Sequence, residues 1–144
     1  MWVDLVSENV QRLRAYAGMA LGSQERGDAA VHAALAKILT LHVSQTPDRL
    51  LLFGLVDREI VRASRKQVPF FPKASPLGAL TPLERRAVLL RVTHGFTEEE
   101  AGEILSLPAK DVKTVLDAAG LKNARLARQL RPPRPARRRG SSGE

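Results

Sequence analysis

The chain has 144 residues, a net charge of +8, 44% apolar residues and only 4% aromatic residues. This length supports one domain or two small ones, and aliphatic side chains must fill their cores. The absence of cysteine excludes disulfides, thiolate metal sites and cysteine nucleophiles, and it fits a reducing compartment. No apolar run approaches the ~20 residues of a membrane span, and the N-terminus lacks the pattern of a signal peptide. We therefore expect a cytoplasmic protein.

The N-terminal half predicts three helices. Apolar residues recur at helical spacing over residues 3–20, and Gly22 ends this first helix. Either Ser23 or Asp28 caps the second helix, and Thr46-Pro47-Asp48 opens a third helix as a cap, a first-turn proline and an acid. The predicted core faces are Val3, Val6, Val10, Leu13 and Ala17, then Val31, Ala34, Leu35, Ile38 and Leu39, then Leu52, Leu55, Val56 and Ile60.

Residues 67–79, QVPFFPKASPLGA, are predicted to form a linker. Their three prolines and one glycine disfavour a helix. Phe70 and Phe71 are too apolar for a solvated spacer. We expect this pair to hold the linker against a helical unit, so that the two units pack together.

Two capping boxes follow in close succession. Thr81 and Thr97 each precede a glutamate at the third helical position, and Pro82 occupies the first helical position after Thr81. Phe96 stands directly before the second box as a hydrophobic staple. These signals predict two short helices.

The ends of these helices complete a helix-turn-helix pattern over residues 80–120. Gly95 ends the first helix, and Gly102 lets the helices cross closely. The turn Ser106-Leu107-Pro108 leads into a third helix, which Gly120 closes. The predicted inner faces are Leu83, Ala87 and Leu90, then Ala101, Ile104 and Leu105, then Val112, Leu116 and Ala119, and Val115 either packs inward beside these last three or is exposed.

The positive charge is concentrated at the C-terminus. Residues 121–144 contain eight basic residues against Glu144, for a net charge of +7, whereas residues 97–120 contain two lysines against six carboxylates, for a net charge of −4. A helix-turn-helix that approaches DNA phosphates rarely carries an acid excess. Residues 131–144 are predicted to be a disordered basic tail that binds nucleic acid, if at all, without sequence preference.

Catalytic and metal-binding motifs are missing from the sequence. His32, His42 and His94 are scattered, with no HExxH spacing, and each is interpreted as a helix-surface or helix-end residue. Neither the P-loop motif GxxxxGK[ST] nor the dinucleotide-binding motif GxGxxG occurs. We expect no enzyme activity, no cofactor and no small-molecule substrate.

Residues 80–119 resemble region four of the bacterial sigma factors. The resemblance is carried by LTPLERRAVLLR, GFTEEEAGEIL and DVKTVL. In that family the last helix reads promoter DNA in the major groove. Family members usually carry arginines after the residues that match Val112-Lys113-Thr114, whereas this chain has Val115, Asp117 and Ala118. Ser106 replaces the glycine that is common at the turn.

The first unit, LRAYAGMALGSQERGDAAVHAALAKIL, resembles the sigma-mimic domain of the PhyR-type general stress response regulators of alphaproteobacteria. The matching residues are Arg14, Tyr16, Ala17, Gly22, Ser23, Gly27, Asp28, Val31 and Leu35. In that family the mimic sequesters a small helical anti-sigma protein and frees the sigma factor. The family's receiver domain is not expected within these residues.

The resemblance implies an all-α fold with a region two-like unit at residues 1–66 and a region four-like unit at residues 80–130. It also implies a sigma mimic that binds an anti-sigma protein, and the alternative is a sigma-like factor that binds promoter DNA. The predicted partner face is Val115 and Ala118, bordered by Leu107, Asp111 and Thr114, with Arg14, Tyr16 and Asp28 as a second surface. The candidate nucleic-acid contacts are Lys110, Lys113, Arg125, Arg128, Arg131, Arg134, Arg137, Arg138 and Arg139.

Overall fold

The computed structural model describes residues 2–40, 48–72 and 75–130, and the regular structure of these residues is entirely helical. The α-helices are α1 (Trp2–Leu21), α2 (Gln24–Thr40), α3 (Arg49–Lys66), α4 (Pro82–Val88), α5 (Glu98–Leu105), α6 (Ala109–Lys122) and α7 (Ala124–Leu130). A 3₁₀ turn at Pro76–Ala79 precedes α4, and a wide π-helical turn at Leu89–Thr93 continues it. The predicted all-α class is confirmed.

The helices α1, α2 and α3 pack on one another. Gly27 of α2 faces the backbone of Gly18 in α1 so closely that a Cβ atom at position 27 would clash with it. The predicted core faces are buried or partly buried apart from two residues. Val3 is 74% exposed and Leu39 is 86% exposed, because they lie in the terminal turns of α1 and α2, where neighbouring helices do not cover them.

The starts of α2 and α3 are each fixed by one side chain. The Ser23 hydroxyl accepts a hydrogen bond from the Arg26 N–H at 3.2 Å, so Ser23 rather than Asp28 caps α2. The Asp48 carboxylate accepts from the Leu50 N–H at 3.1 Å and is the N-cap of α3. The prediction that Asp48 lies inside the first turn is therefore wrong. Thr46 and Pro47 lie outside the described residues.

Both predicted capping boxes are present. The Thr81 hydroxyl accepts from the Glu84 N–H at 3.2 Å, and the Glu84 carboxylate accepts from the Thr81 N–H at 2.9 Å. Thr97 and Glu100 make the same pair of bonds at 3.1 and 2.9 Å. Phe96 is fully buried before the second box. Local hydrogen bonds thus fix where α4 and α5 begin.

The turn between α5 and α6 is tight. Ser106 has a φ of 60° in the left-handed region, where a non-glycine residue is uncommon. A Cβ atom at Gly102 would clash with the carbonyl oxygen of Leu107, so only glycine fits there. The predicted close approach at Gly102 is confirmed, although the neighbour is the backbone of the turn.

The predicted helix ends are half right. Gly95 has a φ of 71° and follows the wide turn, as expected for a residue that ends a helix. Gly120, by contrast, lies inside α6, which continues to Lys122. A Cβ atom at Gly120 would lie 3.4 Å from the Cα atom of Ala127, so this residue faces α7 from within α6 rather than ending the helix.

Within residues 67–79, Phe71 alone of the predicted aromatic pair is anchored. The Arg85 guanidinium stacks 3.9 Å from the centroid of the Phe71 ring, and the same ring lies close to Gly22 at the end of α1. Phe70 is 80% exposed, so its predicted anchoring role is wrong. Because Phe71 touches both α4 and the α1 end, the segment ties the two groups of helices together.

A buried junction joins α1 and α3 to the C-terminal helices. Phe53 packs against Phe96 with ring centroids 5.0 Å apart, and Tyr16 packs against His94 at 5.8 Å. The Arg49 guanidinium lies 4.4 Å from the centroid of the Phe96 ring. We call the contacts of α1 and α3 with residues 86–96 the junction.

Candidate functional site

The predicted partner residues of α6 lie on one side of the helix. Asp111, Thr114, Val115 and Ala118 recur at intervals of three or four residues and so share a face. Asp111 and Thr114 are exposed, whereas Val115 and Ala118 are partly buried. The predicted inner face of α6 is confirmed, because Val112, Leu116 and Ala119 are buried. The structure therefore offers a short apolar strip with a polar border, which we call the α6 strip.

Each end of the α6 strip meets another element. Leu107, in the turn before α6, is partly buried against the core. At the other end, Lys122 Nζ donates to Glu84 Oε1 at 2.6 Å and joins α6 to the first turn of α4. Burial alone would raise the pKa of Glu84, but its bonds to Lys122 and Thr81 together lower it. The charge of Lys122 is thus already paired.

Two residues of the second predicted surface, Arg14 and Asp28, form an ion pair with each other. Arg14 Nε and Nη2 donate to the two carboxylate oxygens of Asp28 at 3.0 and 3.2 Å. Gln24 also donates to Asp28, at 2.7 Å. These hydrogen bonds, first that of Arg14, lower the pKa of Asp28. Each side chain remains 42% exposed, so the pair stays at the surface while it links α1 to α2.

Tyr16, the third member of that predicted surface, does not lie on it. Its side chain is fully buried, and its hydroxyl donates to Asp57 Oδ1 at 2.6 Å. The placement of Tyr16 in a surface patch is therefore corrected: it belongs to the junction. The signal was present in the sequence, because position 16 shares the inward face of α1 with Leu13, Ala17 and Ala20.

The centre of the junction is an ion pair that sequence reasoning missed. Arg86 Nη1 donates to Asp57 at 3.0 and 3.2 Å, and the two side chains are only 14% and 5% exposed. Burial raises the pKa of Asp57 despite the Arg86 charge. Burial, followed by the Asp57 charge, raises the pKa of Tyr16 well above its usual value of 10. The available clue in the sequence was Asp57 itself, a charged residue within the apolar stripe of α3.

His94 also belongs to the junction. It follows the wide turn, as a helix-end residue, but its ring is inserted beside Tyr16 and Phe53 rather than facing solvent. Its Nε2 atom is buried, with no hydrogen-bond partner among the described residues. Burial, with smaller effects of the Arg12 and Arg49 charges, lowers the pKa of His94 to about 4. The imidazole is therefore neutral near pH 7.

The candidate nucleic-acid contacts that the structure describes are exposed. They are Lys110, Lys113, Arg125 and Arg128, spread over α6 and α7. Arg131, Arg134, Arg137, Arg138 and Arg139 lie outside the described residues. Lys113 shares its side of α6 with Asp117, and both line one groove together with Glu98 and Glu99 of α5. Acidic side chains thus accompany the basic one on this side of the helix.

Several known proteins are similar to this chain in sequence or in fold. A family model of the sigma-like domain of the response regulator PhyR matches residues 77–123. The phyllosphere-induced regulator PhyR of Methylorubrum extorquens is 36% identical over 125 residues, which cover 81% of this chain and 47% of the relative. Over most of its length the chain is similar to the sigma-like domain of PhyR. It spans about half the length of that curated relative.

Two solved structures share this fold. The co-crystal structure of the anti-anti-sigma factor PhyR with the anti-sigma factor NepR from Bartonella quintana matches 90% of this chain and 52% of that one, with 28% identity and a TM-score of 0.65. The NMR structure of the PhyRSL–NepR complex from Sphingomonas sp. Fr1 matches 95% and 96%, with 24% identity and a TM-score of 0.71. The resemblance inferred from the sequence is confirmed.

Over the parts of the chain that the structure describes, no helix combines the length and the apolar character that a membrane crossing requires.

Proposed function

We propose that this chain is a sigma-factor mimic that binds a small helical anti-sigma protein and so frees a sigma factor for stress-response transcription. The observation that supports this proposal most directly is a structural similarity. Over 90% of its length the chain matches an anti-anti-sigma factor PhyR whose structure was determined with the anti-sigma factor NepR. The protein acts by binding rather than by catalysis, in the cytoplasm. Residues 1–66 serve as the region two-like unit and residues 80–130 as the region four-like unit.

The α6 strip has the chemistry of part of a protein interface. Val115 and Ala118 offer a small apolar surface, and Asp111 and Thr114 give it the polar border typical of such contacts. A standard interface buries about 800 Å² on each partner, which is more than this strip provides. The partner must therefore reach a second surface, for which we propose the exposed Arg14–Asp28 pair on α1 and α2.

The alternative, a promoter-binding factor, fits the charges of the helix-turn-helix less well. Lys110 and Lys113 are exposed on α6, but residues 97–120 carry a net charge of −4. Phosphate contacts supply much of the affinity for DNA, so an acid excess at the approaching helix weakens it. Val115 is also too short and apolar to hydrogen-bond a guanine edge, as an arginine at this site would.

The test is calorimetric titration of the full chain with purified NepR from Bartonella quintana and from Sphingomonas sp. Fr1. We expect the unsubstituted chain to bind at least one of them. Val115→Arg should weaken that binding by at least ~2 kcal/mol, the scale of an interface hot spot, because it places a charge in the apolar strip. Lys113→Glu, which reverses a charge at an exposed residue on the opposite side of α6, is the matched control and should bind normally.

Because Val115 is partly buried, the exposed Thr114→Arg provides a second test of the same strip. Circular dichroism and melting curves check that each variant folds. If both variants fold and bind like the unsubstituted chain, the partner surface lies elsewhere. If the unsubstituted chain binds neither NepR protein, and a chain ending at Leu130 selects one promoter sequence at moderate salt, the promoter-binding alternative replaces the mimic.

A further inference from the structure

A groove of about 270 Å³ runs between α2 and the C-terminal half of α3. Three alanines supply its small apolar lining: Ala29, Ala30 and Ala63. Three cations and one carboxylate line it as well, and these are Arg26, Arg62, Lys66 and Glu59. We call it the cationic groove, because its positive charge exceeds what its single carboxylate offsets.

The carboxylate of the groove is already fully engaged. The Glu59 side chain is only 8% exposed and pairs with two cations, Lys37 of α2 and Arg62, the latter at 3.0 Å. Arg26 and Lys66 form no salt bridge with any residue that the structure describes. Four cations thus stand beside one carboxylate, which is an excess of three positive charges.

The excess of positive charge extends over both helices of the groove. Together α2 and α3 contain seven basic residues against four acidic ones. Two of these acids are paired by arginines of other helices, since Asp28 binds Arg14 of α1 and Asp57 binds Arg86 of α4. The other two acids offset only part of the seven positive charges. Such a surface attracts an anionic ligand.

Arg26 fixes the two walls of the groove to each other. Its Nη2 atom donates to the carbonyl oxygens of Ala63 at 3.1 Å and of Gln67 at 2.6 Å. These carbonyls lie at the C-terminal end of α3, where a cation is favourable. Because both acceptors are uncharged, the positive charge of Arg26 still acts on the groove. The walls are held in place before a ligand arrives, which lowers the ordering cost of binding.

The lining of the groove suits carboxylates carried by a peptide. Guanidinium groups form planar, paired hydrogen bonds with carboxylates, and the three alanines leave room for a peptide backbone to approach. A single nucleic-acid strand is usually held by aromatic rings that stack on its bases, and none of the residues that line the groove is aromatic. An acidic peptide therefore fits the groove better than a nucleic-acid strand does.

We propose that the cationic groove is a docking site for an acidic peptide segment of a partner protein. Carboxylates of the segment pair with Arg26, Arg62 and Lys66, and its backbone lies along the alanines. The inference goes beyond the proposed function and does not depend on it. Asp28 lies two positions from Arg26, a turn of about 200° around α2, so the Arg14–Asp28 pair faces away from the groove.

The test is a titration of the isotope-labelled full chain with a peptide of alternating glutamate and alanine, followed by its amide NMR signals. NMR shows where the peptide binds, which separates the groove from the arginines of residues 131–144. We expect the signals of residues 26–30 and 62–67 to shift in low salt and to return in about 0.5 M salt, where charges are screened. The same peptide with glutamine in place of glutamate should leave these signals unchanged.

Two double variants locate the charge that matters. Arg62→Gln/Lys66→Gln should weaken binding at the groove about tenfold, the effect of losing two exposed ion pairs. Arg58→Gln/Arg65→Gln removes the same net charge from exposed residues on other sides of α3 and should bind like the unsubstituted chain. If the first variant is misfolded, Lys66→Glu replaces it, since it reverses one charge at an exposed residue in the last turn of α3.

Three results would overturn the proposal. In the first, the glutamate peptide leaves the groove signals unshifted. In the second, both double variants weaken binding equally, so that net charge rather than the groove decides it. In the third, a DNA duplex shifts the groove signals at a lower concentration than the peptide, which makes the groove a nucleic-acid contact. Shifts at the groove that the glutamate peptide causes, and that only the groove variant weakens, support it.

Discussion

The junction and the helix-turn-helix are stabilised by contacts of different range. In the junction, Tyr16, Asp57 and Arg86 come from α1, α3 and α4 and meet only when the fold is complete. In the helix-turn-helix, the Thr97–Glu100 capping box and the approach of Gly102 to Leu107 join residues five positions apart or fewer. The first region depends on the whole fold, and the second is specified locally.

This difference has an energetic consequence. The junction buries charged groups, so removal of one partner leaves the other charged in a poorly solvated place. The threonines of the two capping boxes are exposed, so water can replace a hydrogen bond lost there. We therefore expect junction substitutions to cost more than capping substitutions, and three measurements test this order.

The largest effect is expected for Arg86→Met. The substitution keeps much of the side-chain volume but leaves the Asp57 carboxylate, which is 5% exposed, without its cation. We expect the free energy of unfolding in urea to fall by about 3 kcal/mol. Arg62→Met is the matched control, because Arg62 is 56% exposed and its partner Glu59, although only 8% exposed, keeps a second cation in Lys37, so it should cost at most ~1 kcal/mol. Equal losses in both variants would contradict the importance of the junction.

A smaller loss of stability is expected when the pH is lowered, because of His94. An unfolded histidine gains its proton below about pH 6.5, whereas folded His94 resists protonation until about pH 4. The unfolded state therefore binds more protons in this window, and stability falls as the pH drops through it. Because the ring is partly solvated, we expect a loss of about 1–2 kcal/mol rather than the value for full burial.

The measurement for His94 is the free energy of unfolding between pH 7 and pH 4.5. In His94→Gln the side chain cannot gain a charge, so this variant should lose less stability over the window than the unsubstituted chain. His32→Gln, on the exposed side of α2, should behave like the unsubstituted chain. Identical pH slopes in all three proteins would show that His94 is not shielded in the junction.

The smallest effect is expected at the capping boxes. Thr81→Ala and Thr97→Ala should each lower the free energy of unfolding by ~1 kcal/mol, since each removes the acceptor for one helix-end N–H. Thr114→Ala, inside α6, is the control and should leave stability unchanged or slightly raised, because alanine is the better helix former. If the two capping variants match this control, the caps do not fix the helix starts.

The locally specified part of the fold could be predicted from the sequence. The capping boxes, the left-handed Gly95, the close approach at Gly102 and the inner face of α6 all depend on residues within about two helical turns. Such signals lie within a short window of sequence, so reading them needs no knowledge of tertiary contacts. The α6 strip was derived from the same local periodicity.

The errors concern residues whose position depends on distant neighbours. Tyr16 was assigned to a surface although it shares the inward face of α1, because the acceptor that holds its polar hydroxyl inside is Asp57, 41 residues away in the sequence. Gly120 was taken as a helix end, but α6 continues to Lys122 and Gly120 faces α7. Val3 and Leu39 continue an apolar pattern past the point where other helices cover it. Periodicity shows which residues share a face, but it does not show how far that face is covered.

The wide turn at Leu89–Thr93 makes chain length critical at one place in the molecule. The His94 N–H bonds to the carbonyl oxygen of Leu89, five residues back, and the Phe96 N–H bonds to that of Leu90, six residues back, where an α-helix would use four. A deletion that tightened this turn into an α-helix would rotate all that follows by about 100°. His94 and Phe96 would then leave the junction together. Between Leu89 and Phe96, conservative substitutions are thus safer for an engineer than insertions or deletions.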